Sequence, residues 1–76
     1  MKTPTTFGQR LKELRREAKV TQEELAKAIG LSEINGKTAV TKYENDKREP
    51  EYDTLVKIAD YLQVSLDYLL GRTNQR

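Results

Sequence analysis

Residues 21–50, "TQEELAKAIGLSEINGKTAVTKYENDKREP", decide the fold. Thr21 opens a Thr-x-x-Glu pattern with Glu24, in which each side chain satisfies a backbone donor at a helix start. Leu25, Ala28 and Ile29 then supply one apolar side at helical spacing, and Gly30 stands where a left-handed residue closes a helix. Val40 and Tyr43, at i and i+3, predict another helix over about Lys37–Glu44. Its opposite side carries Lys37, Thr38, Thr41 and Lys42. Asn45-Asp46 reads as its left-handed exit. The join between the two helices, "LSEINGK" (31–37), admits two readings. In one, Ser32 caps a longer helix. That puts Gly36 inside it, at about 1 kcal/mol relative to Ala, and sets Ile34 six residues before Val40, off the apolar face. In the other, Leu31–Gly36 is an enlarged turn, Asn35 or Gly36 supplies the helix entry, and Ile34 tucks against the preceding helix. The enlarged turn is preferred, because Asn35-Gly36 is a strong chain-turning pair and loop closure entropy rises slowly with length.

Working outward, Phe7, Leu11, Leu14 and Ala18 share a helical face that Thr5 or Thr6 can cap. Pro50 precedes a helix over about Tyr52–Leu62 with Leu55, Ile58, Ala59 and Leu62 on one side. Ser65 caps a short segment, Leu66–Leu70, closed by Gly71. Five short helices and no strand pattern make an all-α chain. Helices this short do not stand alone, so they share one core: Phe7, Leu11, Leu14, Leu25, Ile29, Val40, Leu55, Ile58, Leu62, Leu66 and Leu69. The chain divides into an N-terminal arm, 1–6, read as flexible, a single domain over 7–71 and a basic tail, 72–76.

A chain of 76 residues has little material for a core. It contains no Cys and no His, which removes disulfides, the usual nucleophile and neutral-pH base, and the commonest zinc ligands. No metal or cofactor is expected. No long apolar run or signal peptide is visible, so a cytoplasmic setting without membrane contact is the default. Net charge is +2, unevenly spread. Residues 1–48 hold eleven Lys/Arg against seven Asp/Glu, residues 49–71 one Lys against five acids, and the tail two Arg. The basic half suits a polyanion. None of the carboxylates forms a convincing pair within a pocket, and a chain this small hardly encloses one, which argues against an enzyme.

Taken together, "FGQRLKELRREAKVTQEELAKAIGLS", "TKYENDKREP" and "LVKIADYLQVSLDYLLG" resemble the phage repressor and Cro-type helix-turn-helix family, also called the xenobiotic-response-element family. The resemblance covers about Phe7–Gly71 and lies in the order and spacing of the pieces. It implies a compact five-helix, lambda-repressor-like DNA-binding domain, and a sequence-specific regulator, most often a repressor, that binds operator DNA as a homodimer. In that frame the third helix enters the major groove. Lys37, Thr38, Thr41 and Lys42 become base-contact candidates, since Lys donates to guanine O6/N7 and Thr can hydrogen-bond or touch a thymine methyl. The resemblance also implies phosphate contacts for Gln22, at the start of the second helix, where it often braces the third as well, and for Asn45 and Lys47. Arg48 and, more weakly, Arg10 join that set. Such contacts set register and affinity rather than sequence choice. Ser32 and Asn35, in the enlarged turn, are placed to reach phosphate. Arg15 and Glu44 match a pair that bridges the first and third helices, with Arg16 an alternative partner. Val64, Asp67, Tyr68 and Leu70 are candidates for a dimer surface, although Tyr68 and Leu70 can equally close the core.

The sequence departs from the family pattern at two places. The turn after the second helix is about four residues longer than usual. Asp46 stands where the family usually has Gly. From sequence, Asp46→Gly is expected to tighten DNA binding and to raise stability, because Gly costs nothing in a left-handed turn and removes an acid from the phosphate path. The rival function class is a protein-interaction module on the same fold, antitoxin-like or antirepressor-binding.

Overall fold

Two threonines start the first half of the fold. In the computed structural model, which describes residues 6–31 and 34–76, Thr6 Oγ1 accepts from Gln9 N at 3.1 Å and Gln9 Oε1 accepts from Thr6 N at 3.3 Å. Thr21 and Glu24 make the same reciprocal box, at 3.0 and 3.1 Å. These caps open α1 (Phe7–Glu17) and α2 (Gln22–Ala28). Then come α3 (Gly36–Glu44), α4 (Tyr52–Leu62) and α5 (Leu66–Leu69), the last capped by the Ser65 hydroxyl, which accepts from Tyr68 N at 3.0 Å. No strand occurs among the described residues. The all-α, five-helix expectation holds. The arm, Met1–Thr5, and the turn residues Ser32 and Glu33 lie outside the described residues, and Thr6 belongs to α1 as its cap.

The core is Leu11, Leu14, Leu25, Ala26, Ile29, Val40, Tyr43, Ile58, Ala59, Tyr68 and Leu69. Phe7, Leu62 and Leu66 pack half-buried against it. Three sequence expectations of the core fail: Leu55 is only half-buried and stands outside the core cluster, and two alanines fall on the wrong side. Ala18 is exposed, because α1 ends at Glu17 and Ala18 is its C-cap. Ala28 is exposed and Ala26 buried instead. The reason is steric. A Cβ built on Gly36 would lie 2.8 Å from the Ala26 Cβ, so α3 sits on α2 at the smallest side chains available.

α1 and α3 are equally close. A Cβ on Gly8 would lie 2.6 Å from the carbonyl oxygens of both Tyr43 and Glu44. The N-terminus of α1 therefore abuts the C-terminus of α3, and Asp46 closes the contact. Asp46 takes φ +58. Its Oδ1 accepts from Gly8 N at 2.9 Å and its Oδ2 from the Thr6 hydroxyl at 2.7 Å. α1 has no acid in its own first turn, and Asp46 supplies one from across the interface, where the helix dipole favours it. This overturns the sequence reading of Asp46 as a poor stand-in for Gly.

Residues 72–76 are not a free tail. Arg76 O accepts from Ser65 N at 2.9 Å, and the Arg76 guanidinium pairs with Glu17 at 2.6 Å.

Candidate nucleic-acid interface

Glu44 sets the orientation of α3. It is 6 % exposed, at the last residue of the helix. Oε2 accepts from Arg15 Nε at 2.5 Å, and Oε1 accepts from Arg15 Nη2 at 3.3 Å and from Gln22 Nε2 at 3.1 Å. Arg15 Nη1 also donates to Val20 O at 2.9 Å. One carboxylate thus ties α1, α2 and α3 together, as the Arg15–Glu44 reading required, and Arg16 stays exposed. A buried ion pair of this kind is stabilising only while every partner is in place, and no buried side-chain polar atom among the described residues lacks a partner.

With Val40 and Tyr43 turned inward, the far side of α3 is open. Lys37, Thr38 and Lys42 are exposed, Thr41 half-buried. The Thr41 hydroxyl lies 2.9 Å from both Gln22 Oε1 and Lys37 O, so its single proton is held within the protein. Gln22 uses both ends of its amide on α3, donating to Glu44 and accepting from Thr41. It acts first as a brace, with one amide N–H left over. Asn45 Nδ2 donates to Thr41 O at 2.9 Å and closes the end of α3. Beyond it, Lys47 and Arg48 are exposed. Lys37, Lys42, Lys47 and Arg48 form no ion pair among the described residues, so α3 and the turn after it carry four exposed cations outside any salt bridge.

Three expectations need correction. Arg10 does not face outward. It is 3 % exposed, its Nη1 donates to Tyr68 O at 3.0 Å and Thr73 O at 2.7 Å, and its Nη2 donates to Asn74 Oδ1 at 2.8 Å. The guanidinium stacks 4.5 Å from the centre of the Tyr68 ring. Tyr68 is accordingly core, at 7 % exposure, and leaves the dimer-surface set, in which Asp67 and Leu70 are exposed and Val64 half-buried. Third, Ile34 does not tuck against α2; it is 89 % exposed.

The turn between α2 and α3 is enlarged, as preferred from sequence. Gly30 takes φ +77, Asn35 is the N-cap residue, and α3 begins at Gly36. Asn35 is exposed and makes no side-chain cap. The Gln22 brace agrees with what the family resemblance implies, whereas sequence reasoning missed the Asp46 contact. A signal for that contact was present: Gly8 lies within a helix, where Gly is costly unless another backbone comes close.

Among the described residues no helix is long and apolar enough to cross a membrane. The family model HTH_3, described as helix-turn-helix, matches residues 11–69. The chain is 42% identical over 71 residues to the uncharacterized HTH-type transcriptional regulator YqaE of Bacillus subtilis, covering 92% of this chain and 58% of that protein. It is 42% identical over 67 residues to the HTH-type transcriptional regulator ImmR of the same organism, covering 88% and 50%. The chain thus spans between half and three fifths of the length of these relatives. Among solved structures it resembles the P22 c2 repressor protein in complex with a synthetic operator, with a TM-score of 0.80, 31% identity, and coverage of 90% of this chain and 97% of that one. The braced α2–α3 pair, the bare outer face of α3 and these likenesses lead to one conclusion: the chain belongs to the helix-turn-helix family.

Proposed function

We propose that this chain is the DNA-reading part of a transcriptional regulator, most simply a repressor, with α3 lying in the major groove of operator DNA. The observation that carries the reading is the outer face of α3, where Lys37, Thr38 and Lys42 are exposed opposite the buried Val40 and Tyr43. An α-helix fills the major groove, and its first turns reach base edges. Lys37 and Lys42 donate to guanine. Thr38 hydrogen-bonds or meets a thymine methyl. Thr41 contributes through its methyl, since its hydroxyl is engaged. The free cations Lys47 and Arg48, with the remaining N–H groups of Gln22 and Asn45, grip phosphates and set register. Asn35 lies on the same edge. The P22 c2 repressor, which the chain resembles, is a structure of a repressor on its operator. Dimer formation through Val64, Asp67 and Leu70 fits two half-sites one helical turn apart.

Selection of bound sequences from a random duplex pool tests this. An enriched motif supports the reading, and a two-fold repeat supports the dimer. Lys47→Ala weakens all sequences alike and lowers the salt slope of log K by about 1, whereas Lys42→Ala changes the preferred base at one position. No enriched motif at low salt sinks the reading and favours a protein-interaction module.

A further inference from the structure

Ile34 is 89 % exposed, the most exposed large apolar side chain among the described residues. Single exposed aliphatics are ordinary on protein surfaces, so its exposure means little without its position. It sits two residues before the first residue of α3, on the enlarged turn. Asn35 has helical-region dihedrals, φ −115 and ψ 0, and its carbonyl accepts from Ala39 N at 2.9 Å. The chain therefore enters α3 with a turn of helical sense. Ile34 lies one residue before the cap; with the helical count extended back to it, Ile34, Lys37, Thr38 and Thr41 fall at i, i+3, i+4 and i+7, a single stripe. It is the stripe opposite Val40 and Tyr43.

The placement is held from below. Gly36 is pressed against Ala26 and Leu31, where a Cβ would lie 2.8 and 3.4 Å from their Cβ atoms. That contact fixes where α3 begins relative to α2. The other exposed large hydrophobics, Tyr52, Tyr61 and Leu70, belong to α4 or to the end of α5.

We propose that Ile34 is a specificity-determining residue: it extends the DNA-reading face by one position beyond the N-terminus of α3 and takes the C5-methyl of a thymine. This rests on the reading of α3 as the groove-entering helix. The chemistry favours a base edge over the backbone. A branched aliphatic offers no donor to a phosphate, and the thymine methyl is the apolar group that the major groove displays. Water leaves both surfaces when they meet, which gives a preference for thymine over bases lacking the methyl.

The test uses the full chain and the duplex motif that it selects from a random pool. Ile34→Ala is the variant, and deoxyuridine in place of each thymine in turn is the probe, because it deletes the methyl and keeps the pairing. The expected result is one thymine per half-site whose replacement weakens wild-type binding on the order of 5- to 10-fold and leaves Ile34→Ala binding unchanged. Selection with Ile34→Ala then shows no preference at that position. An unchanged thermal midpoint confirms an intact fold in the variant. If Ile34→Ala keeps every wild-type thymine preference, or loses affinity equally for all sequences, the assignment is wrong while the DNA-reading function stands. If wild-type protein selects no motif, that function fails and this assignment with it.

Discussion

Asp46 shows how far a single residue can depart from what its position suggests. In a left-handed turn, a residue with a Cβ costs about 1–2 kcal/mol that Gly does not. Here the carboxylate recovers that cost through two charge-assisted hydrogen bonds, to Gly8 N and the Thr6 hydroxyl, each in the range of about 1.5–3 kcal/mol. Asp46→Gly should therefore lower stability by at least about 1 kcal/mol, opposite in sign to the sequence expectation. Urea unfolding checks this as a lower midpoint with an unchanged slope. Arg10 makes the same point about a cation. Its guanidinium holds two backbone carbonyls and one side-chain oxygen in a planar fork, a geometry that an ammonium does not reproduce. Arg10→Lys keeps the charge and should still cost about 2–3 kcal/mol, with the salt dependence of DNA binding unchanged. A reduced salt slope would return Arg10 to the phosphate contacts.

At the scale of elements, the helices were legible and their exits were not. Capping boxes and 3.6-residue spacing mark α1, α2 and α4 within a residue or two, because those signals are local. Three exits take positive φ without glycine: Lys19, Asp46 and Gln63. Lys19 and Gln63 are exposed and earned no mark in the pattern. Gln63→Gly relieves its strain and should raise stability by up to about 1 kcal/mol, seen as a thermal midpoint several degrees higher. Gly36→Ala runs the other way. Helix propensity favours Ala by about 1 kcal/mol, but the new Cβ would meet Ala26, a stub that cannot rotate aside. The overpacking term, about 1–3 kcal/mol, exceeds the gain, so net destabilisation is expected in the same unfolding measurement. The outer face of α3 was readable because it is what remains once Val40 and Tyr43 turn inward. The Gln22 brace was readable only through the family resemblance, since it joins residues 19 apart through side-chain rotamers.

Across the whole molecule, the last residues fold back over α1. Arg76 lies 5.4 Å from the centre of the Tyr68 ring and pairs with Glu17. Its hydrogen bond holds the Glu17 carboxyl below the usual carboxylate range. A lowered folded value means that the stabilisation is present above the unfolded carboxylate pKa, near 4.3, and is lost as pH falls through the folded value. Both partners are nearly half exposed, so the contribution is about 0.5 kcal/mol and screened by salt. Glu17→Gln should thus remove a small stability increment at pH 7 and none at pH 2 in matched melts. Sequence reading gave this region only as a basic tail because the partners of Arg10 and Arg76 lie about sixty residues away. Glu44 carries the larger consequence. Since its carboxylate joins three helices, transplanting a foreign helix in place of α3 as a block would sever the bolt that seats it. On the proposed reading of α3, re-engineering of target choice should exchange positions 34, 37, 38 and 42 alone and inherit Gly36, Val40, Thr41, Tyr43 and Glu44 as chassis.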